Sequence, residues 1–335
     1  MTQRKVSTTD YHTGGEPFRI VTGGVEPLPG ATILDKRRYA SEHLDEIRKL
    51  LVFEPRGHAD MYGCFVTEPV DDGGDIGVVF FHNAGYSTAC GHGTIALVTW
   101  AIESGLIAVA GDETSVVVDA PSGRLETVAR IDDGRVRSVR FTNVPSFVHS
   151  EGVVVPTSAG ELTLDISYGG AFYASVYAPD VGLSVQPSDL PALIELGREI
   201  KHAIEKEHEV IHPVEPELRD IYGAIFYEND DAAGGDLSQR NVTIFADGEV
   251  DRSPCGSGTS ARLALLDKSG ELPRGRTLVH RSIVDSVFRA RVSSVARVAG
   301  IPAVITEVEG SAYICGSHHF VLDPEDPLGT GFLLR

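Results

Sequence analysis

Residues 90–105 read CGHGTIALVTWAIESG and residues 255–270 read CGSGTSARLALLDKSG. Seven of the sixteen positions are identical, and the copies lie 165 residues apart in a chain of 335. An offset near half the length predicts two structurally equivalent halves related by a pseudo-twofold axis. A chain this long can bury a sizeable core. In both copies a Cys and two glycines precede a helical run that closes in Ser-Gly. Gly105 and Gly270 suit the left-handed residue that ends a helix. Cys90 and Cys255 are therefore expected at or just before helix N-termini.

That position has chemical consequences. The first N–H groups of a helix lack intrahelical acceptors, and with the positive dipole end they form an anion site. The same field favours a thiolate and draws a Cys pKa down from about 8.5. If the halves face each other, two helix N-termini converge on one cleft. A carboxylate would be held there, with one Cys on each side of the carbon that bears it. This suits a two-base proton transfer: one thiolate removes the Cα proton and the opposite thiol returns one to the other face. The amides would stabilise charge developing on the carboxylate. Cys64 and Cys315 lie outside the repeat and are expected as small buried hydrophobes. The four cysteines form no CxxC pair, so a redox disulfide, or a metal held by Cys90 and His92, is the lesser reading.

Lys plus Arg is 29 and Asp plus Glu is 48, a formal charge of −19. Such a chain has no general electrostatic reason to bind nucleic acid or an anionic membrane. The apolar fraction of 42% and charged fraction of 23% are those of a globular protein. No apolar run reaches the roughly 18 residues of a membrane span. The opening MTQRKVSTTDYHTGG lacks an apolar signal core. A cytoplasmic protein with reduced thiols is expected.

Short apolar runs bounded by turn residues dominate. Ile76 to Phe81, Ser115 to Val118, Val242 to Phe245 and Ala303 to Thr306 read as buried strands. In Arg135 to Thr142, Val139 and Phe141 face one way and Ser138 and Arg140 the other. Asp133-Gly134 and Asp247-Gly248 suit hairpin turns. Arg38 to Leu51 and Ser188 to Glu205 read as helices, the second with Ser188 as N-cap. Glu228 to Arg240 reads as a polar loop. The mixture is α/β or α+β, with strands in excess.

The motifs resemble the proline racemase family, which includes 4-hydroxyproline 2-epimerases and trans-3-hydroxy-L-proline dehydratases. The resemblance spans nearly the whole chain: Asp10 to Pro17 (DYHTGGEP), Glu54 to His58 (EPRGH), Gly85 to Ile95 (GYSTACGHGTI), Gly169 to Tyr173 (GGAFY) and Asp251 to Gly256 (DRSPCG). It implies a diaminopimelate-epimerase-like fold, two α/β halves that each wrap a curved, barrel-like sheet around a central helix. The implied halves are residues 1–125, with 316–335 returning to them, and residues 126–315. It further implies that no cofactor or metal is needed, that Cys90 and Cys255 are the acid/base pair, and that a homodimer forms. The backbone amides of Gly91, His92, Gly256 and Ser257 would hold the carboxylate of a small imino acid. His92 and Asp251 would meet its ring nitrogen, and an anionic Asp can accept from a secondary ammonium.

Glu54 and Arg56 are expected as a buried ion pair, His12 and Glu16 as turn and backbone partners, and Phe172 and Tyr173 as core or pocket wall. The dehydratase branch typically carries Thr where Cys255 stands, so the paired cysteines imply inversion at Cα of proline or 4-hydroxyproline. Ser87 and Ser257 resemble the dehydratase branch, in which Cys90 alone takes the proton while a C3 hydroxyl leaves. A non-catalytic imino-acid binder is the third reading, and it would need neither cysteine.

Overall fold

The computed structural model describes residues 4–230 and 236–334. It comprises two compact units, Met1–Val139 with Ser311–Arg335, and Arg140–Gly310. In chain order, β1 (Arg4–Thr13) and β2 (Glu16–Gly23) form a hairpin. Helices α1 (Ile33–His43) and α2 (Asp45–Val52) cross to β3 (Tyr62–Thr67), which is followed by β4 (Ile76–His82). Helix α3 (Gly91–Glu103) crosses to β5 (Glu113–Ala120) and β6 (Gly123–Asp132), and β7 (Arg135–Thr142) leads into the second unit. There β8 (Ser146–Thr157), β9 (Gly160–Tyr168) and β10 (Phe172–Tyr177) precede α4 (Leu190–Glu207). Strands β11 (Ile221–Asn229), β12 (Leu237–Phe245) and β13 (Glu249–Asp251) lead to α5 (Gly256–Ser269), and β14 (Leu278–Ser282), β15 (Val287–Val298) and β16 (Ile301–Gly310) complete the unit. β17 (Ala312–Leu322) pairs with β1 in the first unit.

Strand directions carry the repeat well beyond its sixteen residues. In the first unit β1–β2, β3–β4 and β5–β6 are antiparallel, whereas β2–β3 and β4–β5 are parallel. In the second, β9–β10, β11–β12 and β14–β15 are antiparallel, whereas β10–β11 and β12–β14 are parallel. Each parallel pair needs a crossover, and a helix supplies it in every case. In each unit the hairpin just before the first helical crossover turns on Gly-Gly, at Gly14-Gly15 and Gly169-Gly170, and the strand after that crossover carries Tyr-Gly within its first three residues, at Tyr62-Gly63 and Tyr222-Gly223.

Each central helix is wrapped by its own unit. Helix α3 is apolar and buried from Gly91 to Ile102 apart from Trp100, and it packs on β1, β2, β3, β6 and β17. A helix apolar on all sides belongs inside a core. Helix α5 is buried from Gly256 to Leu266 and packs on β8, β9, β10, β15 and β16. Pairing of β8 with β16 closes a ring of strands around it. This is the expected α+β architecture of barrel-like sheets around central helices. No helix among the described residues is long and apolar enough to cross a membrane.

The details correct several sequence expectations. The single helix expected over Arg38 to Leu51 is two helices, because Leu44 (φ −118°, ψ 10°) leaves the helical conformation. Helix α1 also starts earlier, at Thr32, whose side chain exchanges capping hydrogen bonds with Asp35. Helix α4 is capped at Asp189 rather than Ser188, since a 3-10 turn over Pro187–Asp189 precedes it. Asp133 and Gly134 both take positive φ, as a two-residue hairpin requires; at the second turn Ala246 and Gly248 do so instead of Asp247. Both ends of the expected polar loop are strand, with Glu228 and Asn229 ending β11 and Leu237 to Arg240 opening β12, while residues 231–235 lie outside the described residues. The expected boundaries at 125/126 and 315/316 fall inside β6 and β17, whereas the compact units divide at 139/140, within β7, and at 310/311, between β16 and β17. Cys64 is buried, but Cys315 is exposed on β17, whose residues from Tyr313 to Cys315 are uncovered on both faces.

Candidate active site

Cys90 is the N-cap of α3. Its Sγ accepts from the Gly93 N–H at 3.2 Å. The His92 imidazole stands beside it, with Nε2 3.4 Å and Nδ1 3.6 Å from the sulfur. Phe18 and Tyr62 hold that ring edge-on, at centroid distances of 5.7 and 4.9 Å. The Thr13 hydroxyl donates to the His92 carbonyl at 2.9 Å, and the Tyr62 hydroxyl donates to Ser87 Oγ. Position 93 must be glycine, because a Cβ there would run into the Phe18 ring and stand 2.6 Å from Cys90 Sγ. An imidazole in contact with a thiol can take its proton, and the Gly93 amide and the helix N-terminus stabilise the thiolate left behind.

Cys255 is the N-cap of α5, with φ 60° and ψ 100°. That positive φ is costly for a residue with a side chain. A local network holds it there. The Ser253 amide and hydroxyl donate to Asp251 Oδ1 at 2.8 and 2.7 Å, and the Cys255 amide donates to Ser253 Oγ at 3.1 Å. The Tyr173 hydroxyl lies 3.8 Å from Cys255 Sγ and 2.6 Å from Ser257 Oγ. Burial raises the Asp251 carboxyl to about 6 against the opposing donors of Ser253. Burial first, and the Asp251 charge second, push the Cys255 thiol up to about 12, offset only in part by Thr243, the Gly258 N–H and Tyr173. The lowering expected at a helix N-terminus is therefore reversed at Cys255. A dipole end contributes roughly 0.3–2 kcal/mol, less than the cost of stripping water from a thiolate beside a carboxylate.

Cys90, Gly91 and His92 thus meet at one helix start in the first unit. Asp251, Cys255, Gly256 and Ser257 meet at the equivalent helix start in the second. The His12 ring accepts from the Gly15 amide at 3.3 Å, a turn partner as expected. Arg56 does not pair with Glu54. It reaches Asp326 at 3.2 Å and the Gly329 carbonyl at 3.1 Å, while the Glu54 backbone bridges to Phe332. Sequence reasoning misses four contributors: Phe18 and Tyr62 around His92, Ser253 beneath Cys255, and the Tyr173 hydroxyl. The Gly-Gly and Tyr-Gly correspondences are the available signal, since they place Phe18 and Tyr173 three residues past equivalent turns.

A model of the proline racemase family matches residues 8–333. The chain belongs to the proline racemase family. It is 49% identical over 331 residues to a trans-3-hydroxy-L-proline dehydratase of Bacillus thuringiensis, covering 98% of both chains. It is 50% identical over 335 residues to a 3-hydroxyproline 2-epimerase of Burkholderia multivorans, covering 99% of both. Among solved structures, a hydroxyproline epimerase from Agrobacterium vitis with bound trans-4-hydroxy-L-proline superimposes with a TM-score of 0.92 at 34% identity, over 99% of this chain and 96% of that one. A PhzF-family protein of Bacillus anthracis, at 11% identity and a TM-score of 0.60, shares the fold alone. Proline racemase family relatives therefore include named isomerases and named lyases, all at similar identity to this chain.

Proposed function

We propose that the protein is a hydro-lyase that dehydrates trans-3-hydroxy-L-proline, with Cys90 as the base. The observation that carries this reading is the unequal setting of the two cysteines. Cys90 is in contact with an imidazole, which favours its thiolate. Cys255 is buried beside Asp251, which favours its thiol. Dehydration asks least of the second group. In trans-3-hydroxy-L-proline the Cα hydrogen and the C3 hydroxyl lie on the same ring face. One thiolate can take the Cα proton and hand it to the departing hydroxide. Water leaves, the Cα–C3 double bond forms, and the enamine tautomerises to the cyclic imine. Electrons and atoms balance without an added oxidant or cofactor.

In this reading the carboxylate is held by the first-turn amides of Gly91, His92, Gly256 and Ser257, where helix N–H groups lack intrahelical acceptors. They stabilise the charge that builds on the carboxylate as the Cα proton leaves. Asp251 meets the ring ammonium, and a cationic partner there restores the carboxylate that burial disfavours. His92, which the resemblance also assigns to the ring nitrogen, acts on the Cys90 proton. Relatives named for 3-hydroxyproline, at 48–50% identity, support the substrate class.

The second reading is 2-epimerisation, favoured by the presence of a thiol at position 255. It assigns the proton returned to the other face of Cα to Cys255, in the two-base scheme. Incubation with trans-3-hydroxy-L-proline, trans-4-hydroxy-L-proline and L-proline separates the two. Cyclic imine trapped by o-aminobenzaldehyde should form from the 3-hydroxy compound alone. Inversion of any of the three at Cα without imine would assign the epimerase reading instead.

A further inference from the structure

The second unit contains a cavity of about 780 Å³ at the far end of α5 from Cys255. Its floor is apolar and buried: Phe147, Ala264, Ala303 and Val304. Its mouth carries Lys268, Arg274 and Arg297, of which Lys268 is paired with Glu151 at 2.5 Å and Arg297 has, among the described residues, only the Gly300 carbonyl as partner. Asp267 is neutralised by Arg274, which pairs with both its oxygens at 2.6 and 2.9 Å. With these two pairs made, the guanidinium of Arg297 is the positive charge left at the mouth, in a chain whose formal charge is −19.

The cavity has a cause in the sheet. β8 stays on β16 for two residue pairs only, Ala303↔Phe147 and Val304↔Ser146. All four of these residues line the cavity. Beyond Val148 the register of β8 slips twice, and β15 carries its own irregularity between Val292 and Ser294. Such bulges bend strands away from their partners, and here they leave the ring open beside the last turns of α5. Ala264 and Asp267 are eight and eleven residues past Gly256, so the cavity lies about 12–16 Å along the helix from its catalytic end.

We propose that this cavity is a second binding site, for a small anion with an apolar body such as an aryl or alkyl carboxylate. The volume suits a compact organic ligand. The buried floor receives the apolar body, and the carboxylate exchanges solvent for the guanidinium of Arg297. The site is independent of the reaction assigned above, and its test does not use that reaction.

Isothermal titration of the full chain with 4-phenylbutyrate, 4-phenylbutan-1-ol and 4-phenylbutylamine reads the proposal directly. The carboxylate should bind one saturable site per chain, and the alcohol and amine about tenfold or more weaker. Arg297→Glu, at an exposed position, should weaken the carboxylate about tenfold without changing the circular dichroism spectrum, and Lys268→Glu, which removes a cation already paired with Glu151, should weaken it less. Val295→Asp, at the exposed rim, should weaken all three probes. Absence of a saturable site, equal affinity for the three probes, or indifference to Arg297→Glu would overturn the proposal. So would a Val295→Asp variant that dissociates an oligomer while leaving the carboxylate affinity unchanged, since the face would then be an interface between copies.

Discussion

At the start of α3 a thiol meets an imidazole, and at the start of α5 a thiol meets a carboxylate and a tyrosine hydroxyl. The two helices descend from equivalent positions in the same strand order, yet their surroundings differ throughout. Helix α3 is enclosed by apolar contacts and aromatic edges. Both helices bury the threonine after the second glycine, Thr94 and Thr259, but α5 also buries Ser260 and Arg262 where α3 has Ile95 and Leu97. Each of these polar groups on α5 is satisfied: Thr259 by His280, Ser260 by Thr306 and the Gly256 carbonyl, and Arg262 by Gln239 with the Tyr227 ring 3.7 Å beneath it. A shared order of strands and helices thus puts both sulfurs at helix starts, although Cys90 (φ −156°) and Cys255 (φ 60°) hold them there through different backbone conformations. Three or four side chains around each give the two sulfurs different neighbours, an imidazole at one and a carboxylate with a tyrosine hydroxyl at the other.

If that inequality is functional, the largest effect falls on the first half. Cys90→Ser should lower imine formation from trans-3-hydroxy-L-proline by about 10³-fold, within the range that a positioned acid/base group supplies. Steady-state rates on the purified variant check it, and a loss of less than tenfold would remove Cys90 from the role of base.

The next effect is on the stability of the second half. The folded Asp251 carboxyl sits at about 6 against an ordinary 3.8. Its stabilising contribution is complete below the unfolded value and is lost as pH rises through the folded one. At pH 7 the buried carboxylate therefore costs about 2 kcal/mol relative to pH 4. Asp251→Asn should abolish that dependence. Urea unfolding of both proteins at pH 4 and pH 7 should show the variant gaining about that much on the wild type at the higher pH. An equal difference at both pH values contradicts the assignment.

The glycines give a smaller, paired comparison. A Cβ at Gly93 meets the Phe18 ring and Cys90 Sγ, whereas a Cβ at Gly258 lies 2.9 Å from Cys255 Sγ and 3.0 Å from Ile225 Cδ1. Both Gly→Ala variants should destabilise by about 1–3 kcal/mol, Gly93→Ala the more. Chemical denaturation ranks them, and the reverse order would show that the first half yields more readily than its packing implies. The smallest expected difference is in thiol reactivity. Iodoacetate at neutral pH should label Cys90 about tenfold faster than Cys255, since the thiolate is the nucleophile. Peptide mass spectrometry over a time course reads this, and exposed Cys315 serves as the accessible control.

Much of this is legible in the amino-acid sequence alone. The duplicated Cys-Gly-x-Gly motif locates both helix starts, because two glycines after a Cys and a Ser-Gly stop are local signals. The apolar runs locate β4, β12 and β16 for the same reason. What escapes is non-local. Tyr173 reaches Cys255 from a strand 82 residues earlier. Asp326 takes Arg56 away from its sequence neighbour Glu54 across 270 residues. The direction of the Cys255 shift also escapes, since a helix N-terminus is visible in sequence whereas the burial that overrides it is a property of packing. The break at Leu44 and the cap at Asp189 are lost on a finer scale, where a single residue's conformation decides.

The inequality of the cysteines is tested most directly by replacing only the second. Cys255→Thr and the wild type can be incubated with trans-3-hydroxy-L-proline in D₂O, with imine and any D-configured 3-hydroxyproline quantified from the same sample by chiral chromatography. Imine formation should survive in Cys255→Thr within about tenfold of the wild type, because Cys90 and His92 suffice for a same-face elimination. Loss of imine in parallel with loss of a D-configured product would show instead that both sulfurs are needed, and that the two halves act as equal partners.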